Sequence, residues 1–240
     1  LGILLRHQSL SLFSSRKSKK ILMVVIASDR GLCGSFNSSI LKYAYNEFQK
    51  LQKRYQIELM VIGKKGVEYF KYRNLEVKNF FFGIGDYATL KETDEIARFI
   101  YQKFYQGDYE KVFIVYNAFI SSFVQKPTMI QFLPPQKETI EVILREKIRS
   151  VSKKEQIPYN FEPKPQTIFR VFLPFLLSTQ VYHIILESNA AEHSARTIAM
   201  RNASKNAERL EEELTLQYNK LRQAQITTEL TEIITAKEAM

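Results

Sequence analysis

The sequence predicts an α/β fold: a Rossmann-like open sheet domain followed by one long C-terminal helix. Three observations support this prediction. Up to about residue 135, apolar runs of strand length alternate with segments of helical periodicity, an order typical of α/β sheets. From residue 175 to the end of the 240-residue chain there is neither Gly nor Pro. In that same region, apolar residues recur at intervals of three and four, which is the spacing of a coiled-coil seam.

The strand candidates are apolar runs rich in β-branched and aromatic residues, which suit strands covered on both faces. The clearest runs are ILMVVIA at 21–27, IELMVIG at 57–63 and KVFIVYNAFI at 111–120. Weaker candidates lie at 77–84 and 124–134, and the second belongs at a sheet edge because Pro127 cannot donate to a ladder. Helical spacing of apolar residues predicts helices over 36–54 and 89–106.

The C-terminal segment is rich in Ala, Leu, Glu, Gln and Arg, all strong helix formers. A single helix over 174–240 would be about 100 Å long, which exceeds the diameter of a globular domain of this size. Pro174 suits the first turn, where its missing N–H would have no partner. We therefore divide the chain into an α/β domain, 1–173, and a projecting helix, 174–240.

One face of this helix carries the predicted seam. Its apolar members are Met200, Ala203, Ala207, Leu210, Leu214, Leu221 and Ala224, with Gln217, Thr228 and Thr231 continuing the same spacing. Each Leu buried in such a seam contributes about 1.5–3 kcal/mol, and an exposed seam of this length favours aggregation. The helix is therefore expected to need a partner helix, which no other segment of this chain supplies.

Charge and composition narrow the classes of function. The formal net charge is +10, but residues 175–240 carry seven basic and nine acidic side chains. The long helix is thus net negative, which argues against a coiled coil that binds nucleic acid, and we predict no nucleic-acid partner. Cys33 is the sole cysteine, so an internal disulfide is excluded. No stretch reaches the ~18 apolar residues of a membrane-spanning helix.

The turn SDRGLCGSFN at 28–37 follows the first predicted strand, where many nucleotide sites begin. It matches neither G-x-G-x-x-G nor G-x-x-x-x-G-K-[ST], and a bare G-x-x-G is a weak signal. A helix N-terminus attracts anions, so phosphate binding stays an alternative. The favoured interpretation is structural: Gly31 and Gly34 permit the backbone angles of a tight strand-to-helix turn. Cys33 has no His nearby in the sequence and is interpreted as a small packed side chain.

The main alternative function is a nucleotide-binding α/β enzyme with a helical tail. It would require a phosphate loop and convergent acid and base residues, and the sequence presents neither. The consecutive carboxylates Glu211, Glu212 and Glu213 splay around a helix and cannot all face one metal. We therefore predict no catalytic residue, no metal site and no cofactor.

Several segments resemble the gamma subunit of F-type ATP synthases. SDRGLCGSFN looks like the segment after the first strand of that subunit, and YNFEPKP at 159–165 fits its last strand and the entry to its long helix. The most specific match is ESNAAEHSARTIAMRNASKNAERLEEELTLQYNKLRQAQITTELTEIITAKEAM at 187–240, which resembles the family's signature. The similarity extends over most of the chain, with 136–158 poorly matched.

The resemblance implies a rotor shaft that couples hydrogen ion transport to ATP synthesis without bond-making chemistry of its own. The long helix would form half of an antiparallel coiled coil inside the ring of alpha and beta subunits. The α/β domain would meet the epsilon subunit and the c-ring of the membrane sector. The implied location is the cytoplasmic face of a bacterial inner membrane, or the matrix side of an organelle, as a peripheral membrane protein.

The resemblance also assigns contact residues. Arg222, Gln223 and Thr227 match positions that touch a catch loop of the beta subunit, and Arg196 is a weaker candidate of the same kind. An Arg offers a fork of donors for carboxylates, and Gln offers both a donor and an acceptor. The alternative for the first three is an ordinary exposed helix face.

Three departures from the family pattern are visible. The long N-terminal helix that pairs with the C-terminal one is absent, so we expect the native protein to have further residues before Leu1. A small Gly-Ala pair near the C-terminus is replaced by Ala236 and Lys237. Cys33 stands alone, so the dithiol regulation of chloroplast relatives is not expected.

Overall fold

The computed structural model describes residues 18–84, 88–135 and 165–238. The chain divides into two compact units, the first ending at Arg196 and the second beginning at Thr197. The first unit contains an open sheet with helices on both faces. The described residues of the second consist of helix alone.

The sheet has five strands in the order β3-β2-β1-β4-β5. The strands are β1 (Lys20–Ile26), β2 (Gln56–Ile62), β3 (Val77–Phe81), β4 (Lys111–Ser121) and β5 (Val124–Leu133). The first four run parallel, and β5 pairs antiparallel with β4. All five predicted strands are confirmed, and Pro127 lies in the edge strand β5, where a missing N–H is tolerated.

Within the described residues, four helices accompany the strands. They are α1 (Phe36–Leu51), α2 (Lys64–Tyr72), α3 (Leu90–Gln106) and α4 (Pro165–Glu238). The short helix α2 was not predicted, because it has only nine residues and contains Gly66. A side chain at Gly66 would press against Val61 of β2, so the glycine allows the helix to lie close to the sheet.

The core has two layers because neighbouring side chains of a strand point to opposite faces. Leu22, Val24 and Ile26 of β1 face a cluster that includes α3 and the first part of α4. Met23 and Val25 face the other cluster, which α1 and α2 cover. Since both faces of β1 are buried, its sequence is a continuous apolar run rather than an alternating one.

Helix α4 begins at Pro165, earlier than predicted, and Pro174 lies inside it. An interior proline removes one backbone hydrogen bond and costs about 3 kcal/mol in an exposed helix. Here its neighbours Leu173 and Leu177 are buried against the sheet, and their burial offsets that loss. The domain division at residue 174 stays a prediction. The segment 136–158, which matches the family poorly, and the last strand expected at 159–165 lie outside the described residues, apart from Pro165.

Candidate functional site

The helix of the second unit presents its surface to solvent along most of its described length. Every residue from Met200 to Lys237 is exposed. The predicted seam residues are therefore all exposed, with Leu214 at 54% and Leu221 at 71% of their full accessible surface. Their sequence intervals place them along one side of the helix, but the chain's described residues do not cover them. The seam as a pairing surface stays a prediction.

A second apolar row on this helix was missed in the sequence. Ile226, Leu230 and Ile233 follow one another at intervals of four and three, and they are exposed by 45%, 55% and 65%. At about 100° per residue they lie on a different side from Leu214 and Leu221. The same periodicity that revealed the seam could have found them. At the far end of the helix, where the seam spacing falls on Thr228 and Thr231, the apolar residues therefore lie on another face.

The predicted beta-subunit contacts lie together on this exposed helix. Arg222, Gln223 and Thr227 are all exposed. The hydroxyl of Thr227 donates to the backbone carbonyl of Gln223, with 2.8 Å between the oxygens, so it is turned toward its own helix. Within the described residues the guanidinium of Arg222 forms no ion pair. Its donors are thus available to an acidic group on another chain.

The turn after β1 reverses direction through two left-handed residues. Gly34 has a φ of 57°, in the region that favours glycine. The other left-handed residue is Leu32, with a φ of 61°, and not Gly31. A side chain at Gly31 would meet nothing within 4 Å. The structural role expected of both glycines therefore has a geometric basis at Gly34 alone.

The inside of this turn is filled by its own polar side chains. The amide nitrogen of Asn37 donates to the Ser28 hydroxyl at 2.6 Å and to the Cys33 sulfur at 3.2 Å. The Asn37 oxygen accepts from the backbone N–H of Ser28 at 3.1 Å. Cys33 is only 2% exposed. These bonds hold the turn in place, and the thiol faces the protein interior rather than solvent.

A crevice of about 400 Å³ lies at the carboxyl ends of β1 and β2, the edge where α/β sheets commonly bind cofactors. Three carboxylates line it, from Asp29, Glu92 and Glu192. Asp29 accepts from the backbone N–H groups of Lys64 and Gly83, both at 2.9 Å. The cation Arg30 also lines the crevice, but the three carboxylates outnumber it, so the crevice does not favour the nucleotide-binding alternative.

Arg196 is engaged with its own chain. Its guanidinium pairs with Glu192 at 2.6 Å and reaches the carbonyl oxygen of Gly31 at 3.5 Å. Its side chain is 24% exposed. Arg196 thus links helix α4 to the turn after β1, and its predicted role in contacting a partner subunit stays a prediction.

In residues 18–84, 88–135 and 165–238, no three His, Cys, Asp or Glu side chains are grouped as a metal site would require. In the same part of the chain, no helix combines the length and apolar character needed to cross a bilayer.

Comparison with known proteins gives consistent matches. A family profile described as ATP synthase matches residues 4–240. The ATP synthase gamma chain of Desulforudis audaxviator is 38% identical over 95% of this chain and 77% of its own length. That of Chlorobium phaeobacteroides is also 38% identical, over 92% and 74%.

Two solved structures resemble this chain. A chain in the central stalk and c-ring structure of the Tetrahymena thermophila mitochondrial ATP synthase has a TM-score of 0.58 and 26% identity, covering 85% of this chain and 83% of that one. A chain of the Euglena gracilis mitochondrial ATP synthase has a TM-score of 0.67 at 21% identity, covering 99% and 83%. The second likeness concerns the fold.

Proposed function

Because the chain belongs to the ATP synthase gamma-chain family, we propose that its two units are the foot and the shaft of a rotor, joined by helix α4. The chain is a non-catalytic subunit of the complex, in its central stalk. It couples hydrogen ion transport to ATP synthesis by turning, and it transmits torque by shape and stiffness. The single observation that supports this division of labour most strongly is the uncovered helix of the second unit.

The seam of the shaft is proposed to pair with a second, antiparallel helix. Met200, Ala203, Ala207, Leu210, Leu214, Leu221 and Ala224 form its apolar members, and all are exposed. Small Ala side chains at one end permit close approach of two helices, and burial of each Leu contributes about 1.5–3 kcal/mol. A supercoiled pair resists bending better than one helix, which suits a part that bears torque.

The polar group Arg222, Gln223 and Thr227 is proposed to meet a loop of the beta subunit. Arg222 has free donors within the described residues, and Gln223 presents an exposed amide beside it. A guanidinium that pairs with a carboxylate gives a directional contact, which a rotating shaft can make and break as it turns. Arg196 is proposed as a weaker contact of the same kind, subordinate to its bonds within the chain.

The remaining partners are proposed because the chain belongs to the gamma-chain family. The shaft is proposed to lie inside the ring of alpha and beta subunits, with the foot against the epsilon subunit and the c-ring. The Tetrahymena neighbour, described as part of a central stalk and c-ring, supports this proposal. The proposed location is peripheral to the membrane, on the cytoplasmic side in bacteria or the matrix side in an organelle.

The experiment replaces Arg222→Ala and Gln223→Ala together in the assembled ATP synthase. We expect coupled ATP turnover to fall by roughly tenfold, because an interface contact that carries binding energy costs more than about 1 kcal/mol when it is truncated. The matched control is Arg201→Ala with Gln225→Ala, which removes the same side-chain types from exposed positions outside the contact group. Unchanged turnover in the first variant, with the control also unchanged, would contradict the assigned contact.

A further inference from the structure

Polar contacts tie helix α4 to the rest of the first unit at Ser178, Glu187 and Arg196. The hydroxyl of Ser178 donates to a carboxylate oxygen of Asp94 in α3 at 2.6 Å. A carboxylate oxygen of Glu187 accepts from the backbone N–H of Phe119 in β4 at 3.0 Å. The guanidinium of Arg196 reaches the turn after β1, as described above. The helix is thus tied to three different elements.

The spacing of the three contacts has a geometric consequence. Ser178, Glu187 and Arg196 are nine residues apart in each step. Nine residues make about two and a half helical turns. Ser178 and Arg196 therefore lie on the same side of α4, and Glu187 lies on the opposite side. Along the helix axis, the polar contacts therefore alternate between two opposite sides of α4.

The apolar stripe of the helix lies between these two sides. The buried apolar residues of this part of α4 are Leu173, Leu177, Val181, Ile184, Ile185 and Ala191. Viewed down the helix axis, at about 100° per residue, the mean direction of these six side chains is roughly 90° from that of Ser178. It is also roughly 90° from that of Glu187, in the opposite sense. The polar contacts thus flank the buried stripe, where they oppose rolling of the helix in either direction.

The two kinds of contact resist different motions. Apolar burial is non-directional, so it holds the helix onto the sheet more firmly than it fixes its angle. Hydrogen bonds have narrow angular preferences. Glu187 binds a backbone N–H, which moves with the strand itself and not with a flexible side chain. Loss of that bond would free the helix to roll while leaving it attached.

The side chain of Tyr116 lies beside the Glu187 carboxylate and carries no charge of its own. Tyr116 is only 9% exposed, and burial together with the Glu187 carboxylate raises the pKa of Tyr116 to about 12. The phenol is therefore neutral and protonated near pH 7. Its hydroxyl is hydrogen-bonded to the Glu187 carboxylate and adds no second negative charge beside it.

We propose that Ser178, Glu187 and Arg196 form a two-sided clamp that fixes the rotational angle of α4 about its own axis against the sheet. This inference rests on the proposed rotor function. Torque that enters through the foot reaches the shaft only if the joint between them does not roll. The clamp provides that rotational stiffness, with Glu187 as its central positioning residue.

The test measures torsional stiffness in the assembled ATP synthase that contains the full chain. The alpha–beta ring is fixed to a surface, a bead is attached to the foot, and the angular spread of the bead is recorded while the motor is paused. Ser178→Ala with Glu187→Ala should widen the spread, a loss of stiffness. Ser178→Ala alone should give a smaller widening. Glu187→Gln should restore the narrow spread, because its amide oxygen can still accept from Phe119.

Hydrogen exchange at the Phe119 amide gives a second readout in the same complexes. Loss of a hydrogen bond worth about 1 kcal/mol should accelerate its exchange by roughly fivefold in Glu187→Ala and leave it nearly unchanged in Glu187→Gln. The matched control is Glu76→Ala, an exposed carboxylate of the first unit outside the clamp. It should change neither the spread nor the exchange.

The outcomes separate the clamp from the rotor function. A narrow spread in Ser178→Ala with Glu187→Ala, or a spread in Glu187→Gln as wide as in Glu187→Ala, would overturn the clamp. If the variants that carry Glu187→Ala fail to assemble, the Ser178→Ala complex still decides, because a spread as narrow as that of the unaltered chain would overturn the clamp. Failure of the unaltered chain to rotate within the complex would instead overturn the proposed function.

Discussion

The two units of this chain use the same apolar residue types in opposite ways. In the first unit, Phe70 and Phe104 are at most 1% exposed and belong to cores that cover both faces of a sheet. In the second, Leu214 and Leu221 are more than half exposed. The first unit is therefore stabilised by burial within the chain. The second unit can gain comparable stabilisation only from another helix or subunit.

In the second unit, helix formation and stability have different sources. The helix of the second unit is favoured by its composition, without Gly or Pro and with many strong helix formers. Isolated helices are nevertheless marginal in water, and most helical stability in proteins comes from tertiary packing. The shaft is thus helical because its residues favour helix locally, and it becomes rigid only when it packs against partner chains.

The largest expected effect comes from truncating a core aromatic residue. Phe104→Ala removes a ring that is 1% exposed and should lower the free energy of unfolding by about 3–5 kcal/mol. Leu214→Ala, its counterpart in the second unit, should change the stability of the chain alone by no more than about 0.5 kcal/mol. Urea unfolding of both variants provides the measurement. A large loss of unfolding free energy for Leu214→Ala in the isolated chain would contradict this contrast between the two units.

A smaller effect distinguishes two glycines of the first unit. Gly63 has a φ of 100°, and a side chain there would overlap the carbonyl oxygen of Ala27. Gly63→Ala should therefore destabilise the first unit by about 1–3 kcal/mol, the cost of a strained backbone position. Gly31→Ala should be neutral or stabilising by up to about 1 kcal/mol, because it reduces the freedom of the unfolded chain. Thermal unfolding of the two variants should differ in this order, and the reverse order would contradict the backbone geometry.

Much of the fold could be predicted because its signals are local. Continuous apolar runs locate all five strands, and the absence of Gly and Pro after residue 174 indicates the long helix. The start of α4 was misplaced because a proline is read as a helix boundary, whereas burial of Leu173 and Leu177 carries the helix through Pro174. Such burial depends on the sheet and leaves no local signal.

Less of the candidate site than of the fold could be predicted from the sequence. The contact group at Arg222 came from family resemblance, since an exposed Arg beside a seam has no distinctive spacing of its own. The left-handed conformation of Leu32 could not be expected, because Gly31 and Gly34 appeared sufficient for the turn. The contact of Arg196 with Gly31 joins residues 165 positions apart, and the sequence gives no indication of such pairs.

The smallest expected effect concerns a helix end that the first unit stabilises with its own side chains. The Glu92 carboxylate accepts from the backbone N–H of Thr89 at 2.9 Å, and the Thr89 hydroxyl accepts from the backbone N–H of Glu92 at 3.3 Å. The backbone bond from Thr89, with its hydroxyl bond, holds the pKa of Glu92 below its ordinary value. A carboxyl whose pKa is lower in the folded state stabilises the protein above its unfolded pKa, and that stabilisation is lost as the pH falls through the folded value.

Melting temperatures of the unaltered chain and of Glu92→Gln, measured from about pH 6 to about pH 3, test this sign. The unaltered chain should melt higher at the upper end, and the two curves should converge as Glu92 becomes protonated. Glu76→Gln, which changes an exposed carboxylate outside any cap, controls for the change in net charge. Curves that stay parallel over the whole range would mean that the charge of Glu92 contributes nothing to the cap. In that case the hydroxyl of Thr89 alone would hold the start of α3, and the helix ends of the first unit would depend less on its own charged side chains than their geometry indicates.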